Sequence, residues 1–282
     1  MKRNFLLFLL LFSAGAYSQN VQKIIFEPSD SLNGYYLAIP PSSGTVRGVV
    51  ALFCPFQKAE SILPETRLHN IAAATDLLTV YCSTGLRLLP DSPAIHRMDR
   101  VLAHAAAKFG ADTSHFAVGG FDLAGTGVLR YAELAQEHPQ DFFIHPHAVF
   151  GIAAPVDLTG LYHLYERQIK KNYFPPAVGD AKFILNYFNK EQGTLAEHPE
   201  HYSRLSPFST ASSEPGNERW LHRLSLRLYY DTDIEWQLRT RRNGYYDTDL
   251  PDASELDRPG VAAGQRARGV CGVAPARYAE QW

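Results

Sequence analysis

Short runs of consecutive apolar residues alternate along the first half of the chain with longer stretches whose apolar residues recur every three or four positions. Residues 49–54 (VVALFC), 77–82 (LLTVYC), 116–119 and 148–153 (AVFGIA) are the short runs. They lack a polar face and are too short for helices, so they read as strands buried on both sides. Ile95, Met98, Leu102, Ala105 and Phe109 line one face of a helix that Gly110 ends. Residues 23–26 and 35–39 add two short strands, and Asn33-Gly34 between them predicts a hairpin. Strands alternating with helical stretches predict a mostly parallel sheet with helices on both faces, an α/β architecture.

After the sixth strand the pattern loosens. Residues 156–215 are expected to be a helical insertion over the sheet edge, with helices near 158–169 and 181–191 separated by Pro175-Pro176. Residues 224–230 (LSLRLYY) return to strand, and 252–256 begin a helix behind Pro251. Pro259-Gly260 then stop that helix. Residues 257–282 hold six Ala, four Gly and four Arg, without a period of 2 or 3.6. This tail does not resemble the last strand and helix of an α/β domain. It is expected to be exposed and weakly packed, the product of a changed reading frame, with Cys271 a free thiol.

The N-terminus carries a different signal. Lys2 and Arg3 precede the apolar run Phe5 to Phe12, and Ala16 and Ser18 have the spacing an export peptidase accepts. Residues 1–18 are therefore expected to be a signal peptide, with residues 19–256 the folded domain, and an exported, periplasmic or extracellular location follows. No later stretch reaches the roughly 18 apolar residues of a membrane span. The 282-residue chain is 45% apolar with a net charge of -2, a globular composition without a basic surplus for nucleic acid. Three cysteines are too few for a disulfide scaffold, but Cys54 and Cys82 end adjacent strands, which leaves room for one bond.

The segment from His115 to Glu133 (HFAVGGFDLAGTGVLRYAE) carries the candidate chemistry. A buried strand ends in Gly119-Gly120, Asp122 follows, and an amphipathic helix is expected to begin by Gly125. Strand, tight turn with small residues, and helix are the setting of a nucleophile elbow. The segment Gly120-Phe121-Asp122-Leu123-Ala124 resembles the G-x-S-x-G motif of the α/β-hydrolase superfamily, in its exported bacterial esterase-like branch. Asp stands where the superfamily has Ser.

The resemblance implies further roles. Phe56, in the loop after the strand at 49–54, and Leu123 would supply the N–H groups of an oxyanion hole. Asp231 or Asp233 matches the triad acid, with Asp231 preferred. The triad His should follow that acid, but the last histidine is His222. A serine esterase or peptidase ancestry with lost or impaired activity is the expected function. The ligand would be a small molecule or peptide ester, and no cofactor is expected. One alternative is an Asp-nucleophile hydrolase of the dehalogenase or epoxide hydrolase kind, with His69, His96 or His163 reaching Asp122. The other is a non-catalytic binding protein that keeps the pocket.

Remaining polar groupings read as structural. His145 and His147 enter a strand, and no third ligand is evident beside them. His198 and His201 are separated by Pro199, which argues for a loop over a ligand-bearing helix face. Asp247, Asp249, Asp252 and Glu255 read as a solvated helix entry. Tyr162, Tyr165, Tyr173, Phe174, Tyr187 and Phe188 fit either packing or an apolar pocket.

Overall fold

A computed structural model describes residues 20–30, 32–210, 216–231, 233–256 and 270–273. The expected signal peptide lies outside them. Eight strands form one sheet in the order β1-β2-β4-β3-β5-β6-β7-β8. They are β1 Gln22–Ile25, β2 Tyr35–Ile39, β3 Gly48–Pro55, β4 Leu77–Gly85, β5 Phe116–Phe121, β6 Ala148–Ile152, β7 Ser225–Asp231 and β8 Val270–Val273. β1 pairs with β2, and β2 with β4, antiparallel, and every other pairing is parallel. All eight residues of β3 are buried, as its unbroken apolar run requires.

The helices are α1 Leu68–Ala74, α2 Ser92–Phe109, α3 Asp122–Glu137, α4 Leu158–Lys171, α5 Pro175–Gln192, α6 Pro199–Leu205 and α7 Leu250–Leu256. Among the described residues no helix is long and apolar enough to cross a membrane. α2 shows how sequence sets its ends. Asp91 caps it by accepting the Ala94 N–H at 2.9 Å, and Gly110 leaves it at φ 63°. Its buried face, with Ile95, Met98, Val101, Leu102 and Ala105, joins Val49, Ala51, Phe53 and Phe116 in the largest core cluster.

Three sequence expectations change, while β1 and β2 form the predicted antiparallel hairpin through a loop that ends at Gly34. The Gly34 N–H donates to Asp30 O at 2.7 Å, while Arg97, from α2, ties the loop down through Glu27 and the Asn33 carbonyl. Pro175 and Pro176 do not separate the insertion's helices but open the second of them, where their missing N–H groups cost nothing. The insertion covers the C-terminal end of the strands and not the sheet edge. Leu158, Leu161, Tyr162, Ile184 and Phe188 pack with Leu123, the residue that follows the strand-to-helix turn. Residues 270–273 of the tail form β8 beside β7, so the sheet does carry its last edge strand. The rest of the tail, and the Cys271 side chain, lie outside the described residues.

Cys54 and Cys82 do not bond. β3 and β4 are parallel neighbours, but the register places Phe53 opposite Cys82 and Cys54 opposite Ser83. One step along a strand reverses the side-chain direction. Cys54 therefore packs in one core cluster and Cys82 in the one across the sheet, both as free thiols. Burial pushes them up to about 11 and about 12 respectively. An alkylating reagent at mildly alkaline pH should leave both unmodified in the native protein and label both in strong denaturant, read by peptide mass mapping. Native labelling of either would contradict this packing.

Candidate functional site

The turn between β5 and α3 has the conformation its sequence predicts. Phe121 is extended at φ -91°, ψ 142°, and Asp122 then takes the left-handed conformation at φ 48°. α3 begins at Asp122 itself. A left-handed conformation is costly for a residue with a Cβ, and such residues gather at functional sites. Space explains the glycines around it. A Cβ on Gly120 would lie 2.6 Å from the Gly125 nitrogen and 2.7 Å from the Ala124 carbonyl. A Cβ on Gly125 would lie 2.6 Å from that of Ala154 and 2.7 Å from the Gly120 oxygen. The strand and helix touch backbone to backbone, which lifts Asp122 to the tip.

The Asp122 carboxylate is pushed up to about 6. Burial is the main cause, the Leu123 N–H bonded to it opposes the shift, and the charge of Asp180 adds to it. Phe56, after β3, is also left-handed at φ 59°, and its N–H donates to the Gly85 carbonyl at 2.8 Å. Its ring is partly exposed and stands 6.1 Å from that of Phe183 on α5.

Asp231 ends β7, with its backbone opposite Val273. Its side chain lies outside the described part. Asp233 accepts the Trp236 N–H at 2.8 Å and caps a one-turn helix. The upstream histidines have partners of their own. His69 Nδ1 is 3.1 Å from the Tyr81 hydroxyl, the His96 ring stacks on Phe142 at 5.9 Å, and His163 Nδ1 is 3.0 Å from Glu166.

Other acids gather around Asp122 instead. Asp249 is pushed up to about 7, by burial first and then by the charges of Asp122 and Asp252. Asp252 is pushed up to about 6 by burial and by Asp157, with Arg167 opposing. The helix entry that reads as solvated is therefore packed inward, because Ala253 and Leu256 of α7 are completely buried. Tyr165, on α4, is held well above its usual range by burial and by the charges of Asp122, Asp249 and Asp180. Spacing could have shown that Asp249, Asp252, Ala253 and Leu256 share a helix face. It could not have shown that Ala253 and Leu256 pack on β6 and β7, or that Asp249 shares a cavity with Tyr165 of α4 and Asp180 of α5.

Tyr165, Asp180 and Asp249 line a cavity of about 300 Å³ together with Gln168, Tyr230, Arg241 and Asn243. Arg241 is the cationic member. Its guanidinium lies 4.8 Å from the Trp236 ring and 5.3 Å from the Phe174 ring, and its buried Nε meets no acceptor among the described residues. A carboxyl group pushed up to about 7 on Asp249, the phenols of Tyr165 and Tyr230 and one guanidinium can hold a small polar molecule. Among the described lining residues none is a histidine.

No protein-family model matches the sequence, and no curated protein matches it. Solved structures do match in fold. Esterase B from Lactobacillus rhamnosis superposes with a TM-score of 0.56 at 11% identity, over 95% of this chain and 80% of that one. The S-formylglutathione hydrolase from Agrobacterium tumefaciens gives 0.54 at 12% identity, over 91% and 89%. MPT51 (FbpC1) of Mycobacterium tuberculosis gives 0.56 at 9% identity, over 89% and 90%. The strand order, the turn at Asp122 between β5 and α3, and the helices over the strand ends agree with these likenesses: the chain is an α/β-hydrolase-fold protein.

Proposed function

We propose that this is an exported protein of serine esterase or peptidase ancestry that no longer turns over acyl esters and binds a small polar molecule beside Asp122. One observation carries the reading. The elbow tip is a carboxylate where acyl transfer needs a hydroxyl, and the Phe56 N–H is already bound to the Gly85 carbonyl. Acyl transfer needs a nucleophile with a positioned base, and donors free to receive the oxyanion. Among the described residues no histidine lines the cavity, and one of the two assigned donors is already engaged, which supports this reading. The basic, apolar and small-residue order of the first 18 residues supports export.

The test is turnover of short-chain aryl esters, with labelling by a fluorophosphonate probe, on the mature protein and on Asp122→Ser. Neither protein should turn over ester above the buffer rate or take up the probe. A serine without a base remains a weak nucleophile at neutral pH. Multiple turnovers by wild type would overturn the loss of activity. Multiple turnovers by Asp122→Ser alone would show a base that reaches position 122.

A second reading rests on Tyr165. Its hydroxyl belongs to an electrostatic group that includes Asp122, and Asp122 is ionised above about pH 6. An ionised carboxylate can displace halide from an alkyl carbon without a base, leaving an alkyl ester on the enzyme. A mass increase on the Asp122 peptide after incubation with a small alkyl halide would favour this reading. An unmodified peptide would remove it.

A further inference from the structure

The segment that joins α5 to α6 holds a second group of polar side chains, away from the elbow. Its backbone is fixed first. Gly193 ends α5 at φ 80°, and the His198 N–H then donates to Thr194 O at 2.9 Å, closing a tight turn. Pro199 takes the first position of α6 and does not break it, contrary to the expectation of a loop. Glu200 and His201 follow on the first turn. The imidazole rings of His198 and His201 are nearly parallel, 7° apart, with centroids at 4.8 Å.

Three ligand-type atoms converge there. Glu200 Oε1 lies 3.6 Å from His198 Nδ1 and 3.6 Å from His201 Nε2, and all three groups have ligand atoms within 4.8 Å of one another. At 3.6 Å neither contact is a hydrogen bond. The carboxylate oxygen sits between two ring nitrogens without closing on either. His201 Nδ1 is 3.0 Å from the Gln192 carbonyl, an acceptor, so that nitrogen carries the hydrogen. In the neutral ring Nε2 then presents its lone pair toward Glu200. A backbone carbonyl that fixes the tautomer of a histidine is the usual outer support of a metal ligand.

Where both facing nitrogens carry lone pairs, they and the carboxylate are three acceptors around one point, and a cation placed between them satisfies all three. Zinc holds imidazole nitrogen at about 2.0–2.1 Å and carboxylate oxygen at about 2.0–2.2 Å, which in a tetrahedron spaces ligand atoms about 3.4 Å apart. The 3.6 Å separations are close to that spacing. The parallel rings cannot both point their in-plane lone pairs at one ion, so the His198 ring must turn on binding, which its 46% exposure and the 66% exposure of Glu200 permit. Two imidazoles and one carboxylate suit a borderline divalent ion of the zinc class better than magnesium or calcium, which prefer all-oxygen shells.

We infer that His198, Glu200 and His201 form a three-ligand site for a zinc-class divalent cation, with water completing the shell. The site would brace the turn between α5 and α6. The same segment buries Leu195, Tyr202 and Leu205 in the cluster that contains Leu123. The Tyr202 hydroxyl donates to Gly193 O at 2.6 Å, and its ring stands edge-on to Tyr162 at 5.3 Å. A cation held by His198, Glu200 and His201 stiffens the turn that leads into α6, and so the segment whose Leu195, Tyr202 and Leu205 pack in the cluster with Leu123.

The experiment is titration of the metal-free mature protein with zinc chloride by calorimetry. It is paired with the visible spectrum of the cobalt(II) form and with thermal unfolding. Wild type should bind one zinc per chain and unfold at a higher temperature with zinc present. His198→Ala and His201→Ala should each weaken binding by about tenfold or more and remove the thermal shift. Calcium and magnesium should produce neither effect. The metal-free variants should match wild type in circular dichroism, because the side chains removed are largely at the surface. An unchanged zinc affinity in the His198→Ala, His201→Ala double variant would overturn the site. So would zinc binding that survives in that variant and disappears in Asp249→Asn. Wild-type protein that binds no zinc would overturn it outright.

Discussion

Asp249→Asn is expected to stabilise the protein by about 2 kcal/mol at about pH 8 and to have little effect at about pH 4. Burial and the charges of Asp122 and Asp252 push the Asp249 carboxyl from its usual 3.8 up to about 7. Between these values the folded chain holds a proton that the unfolded chain has released. The stabilising effect of that proton is fully present below the unfolded pKa and is lost as pH rises through the folded one. Asp122 and Asp252, each pushed up to about 6, act in the same direction. Stability should therefore decline from about pH 4 to about pH 7 on account of this cluster. Asp30 and Glu60 are lowered instead, by hydrogen bonds and nearby cations that outweigh burial, and their contribution disappears only on further acidification.

A carboxyl raised from 3.8 to about 7 corresponds to about 4 kcal/mol, and partial solvent screening of this half-buried site halves it. Asparagine keeps the shape and can still cap α7, because Asp249 immediately precedes Leu250. Urea unfolding of both proteins at about pH 5 and about pH 8 provides the measurement. Wild type should lose stability toward the higher pH, and the variant should lose less. A wild-type midpoint that rises over this interval, or a variant less stable than wild type at the higher pH, would refute the acidic cluster.

The same cluster marks where the sequence stops being legible. The strands at 49–54, 77–82, 116–119 and 148–153 are visible because a continuous apolar run can be satisfied only between two layers. The elbow is visible because its constraint is mostly local: Gly120, Ala124 and Gly125 lie within six positions and meet one another, with only Ala154 coming from further along the chain. Asp249 and Asp252 are different. Asp249 shares its cavity with Tyr165 of α4 and Asp180 of α5, about seventy to ninety residues earlier, and nothing beside it in sequence records those neighbours. The loop at 26–34 likewise depends on Arg97 from α2. β8 escapes notice because a four-residue edge strand needs little more than β7's free backbone groups, and Gly, Ala and Arg around it dilute its two valines. His198 and His201 look separated by Pro199 only until that proline is placed at the first position of a helix, where it brings the two rings together.

Gly120→Ala is expected to be the most damaging small substitution, costing about 3 kcal/mol or more. The new methyl group would meet the Gly125 nitrogen at 2.6 Å and the Ala124 carbonyl carbon and oxygen at 2.7 Å. All are backbone atoms, so no side chain can turn aside. α3 would have to move away from β5, but Ala124, Val128 and Tyr131 anchor that helix in the main core. Against a total stability of about 5–15 kcal/mol, the loss is a large fraction. Two controls separate this effect from the general cost of replacing glycine. A Cβ on Gly127 would meet the Met98 methyl at 2.8 Å, the far end of a flexible side chain. Gly127→Ala should therefore cost much less. Gly179, in α5, has nothing within 4 Å of its would-be Cβ. Gly179→Ala should gain about 0.5–1 kcal/mol from helix propensity. Urea midpoints should rank Gly179→Ala above wild type, Gly127→Ala near or below it, and Gly120→Ala far below. A Gly120→Ala protein as stable as wild type would mean that β5 and α3 do not meet backbone to backbone. The left-handed Asp122 would then lose its structural cause, and with it the argument that this residue stands at the tip of a nucleophile elbow.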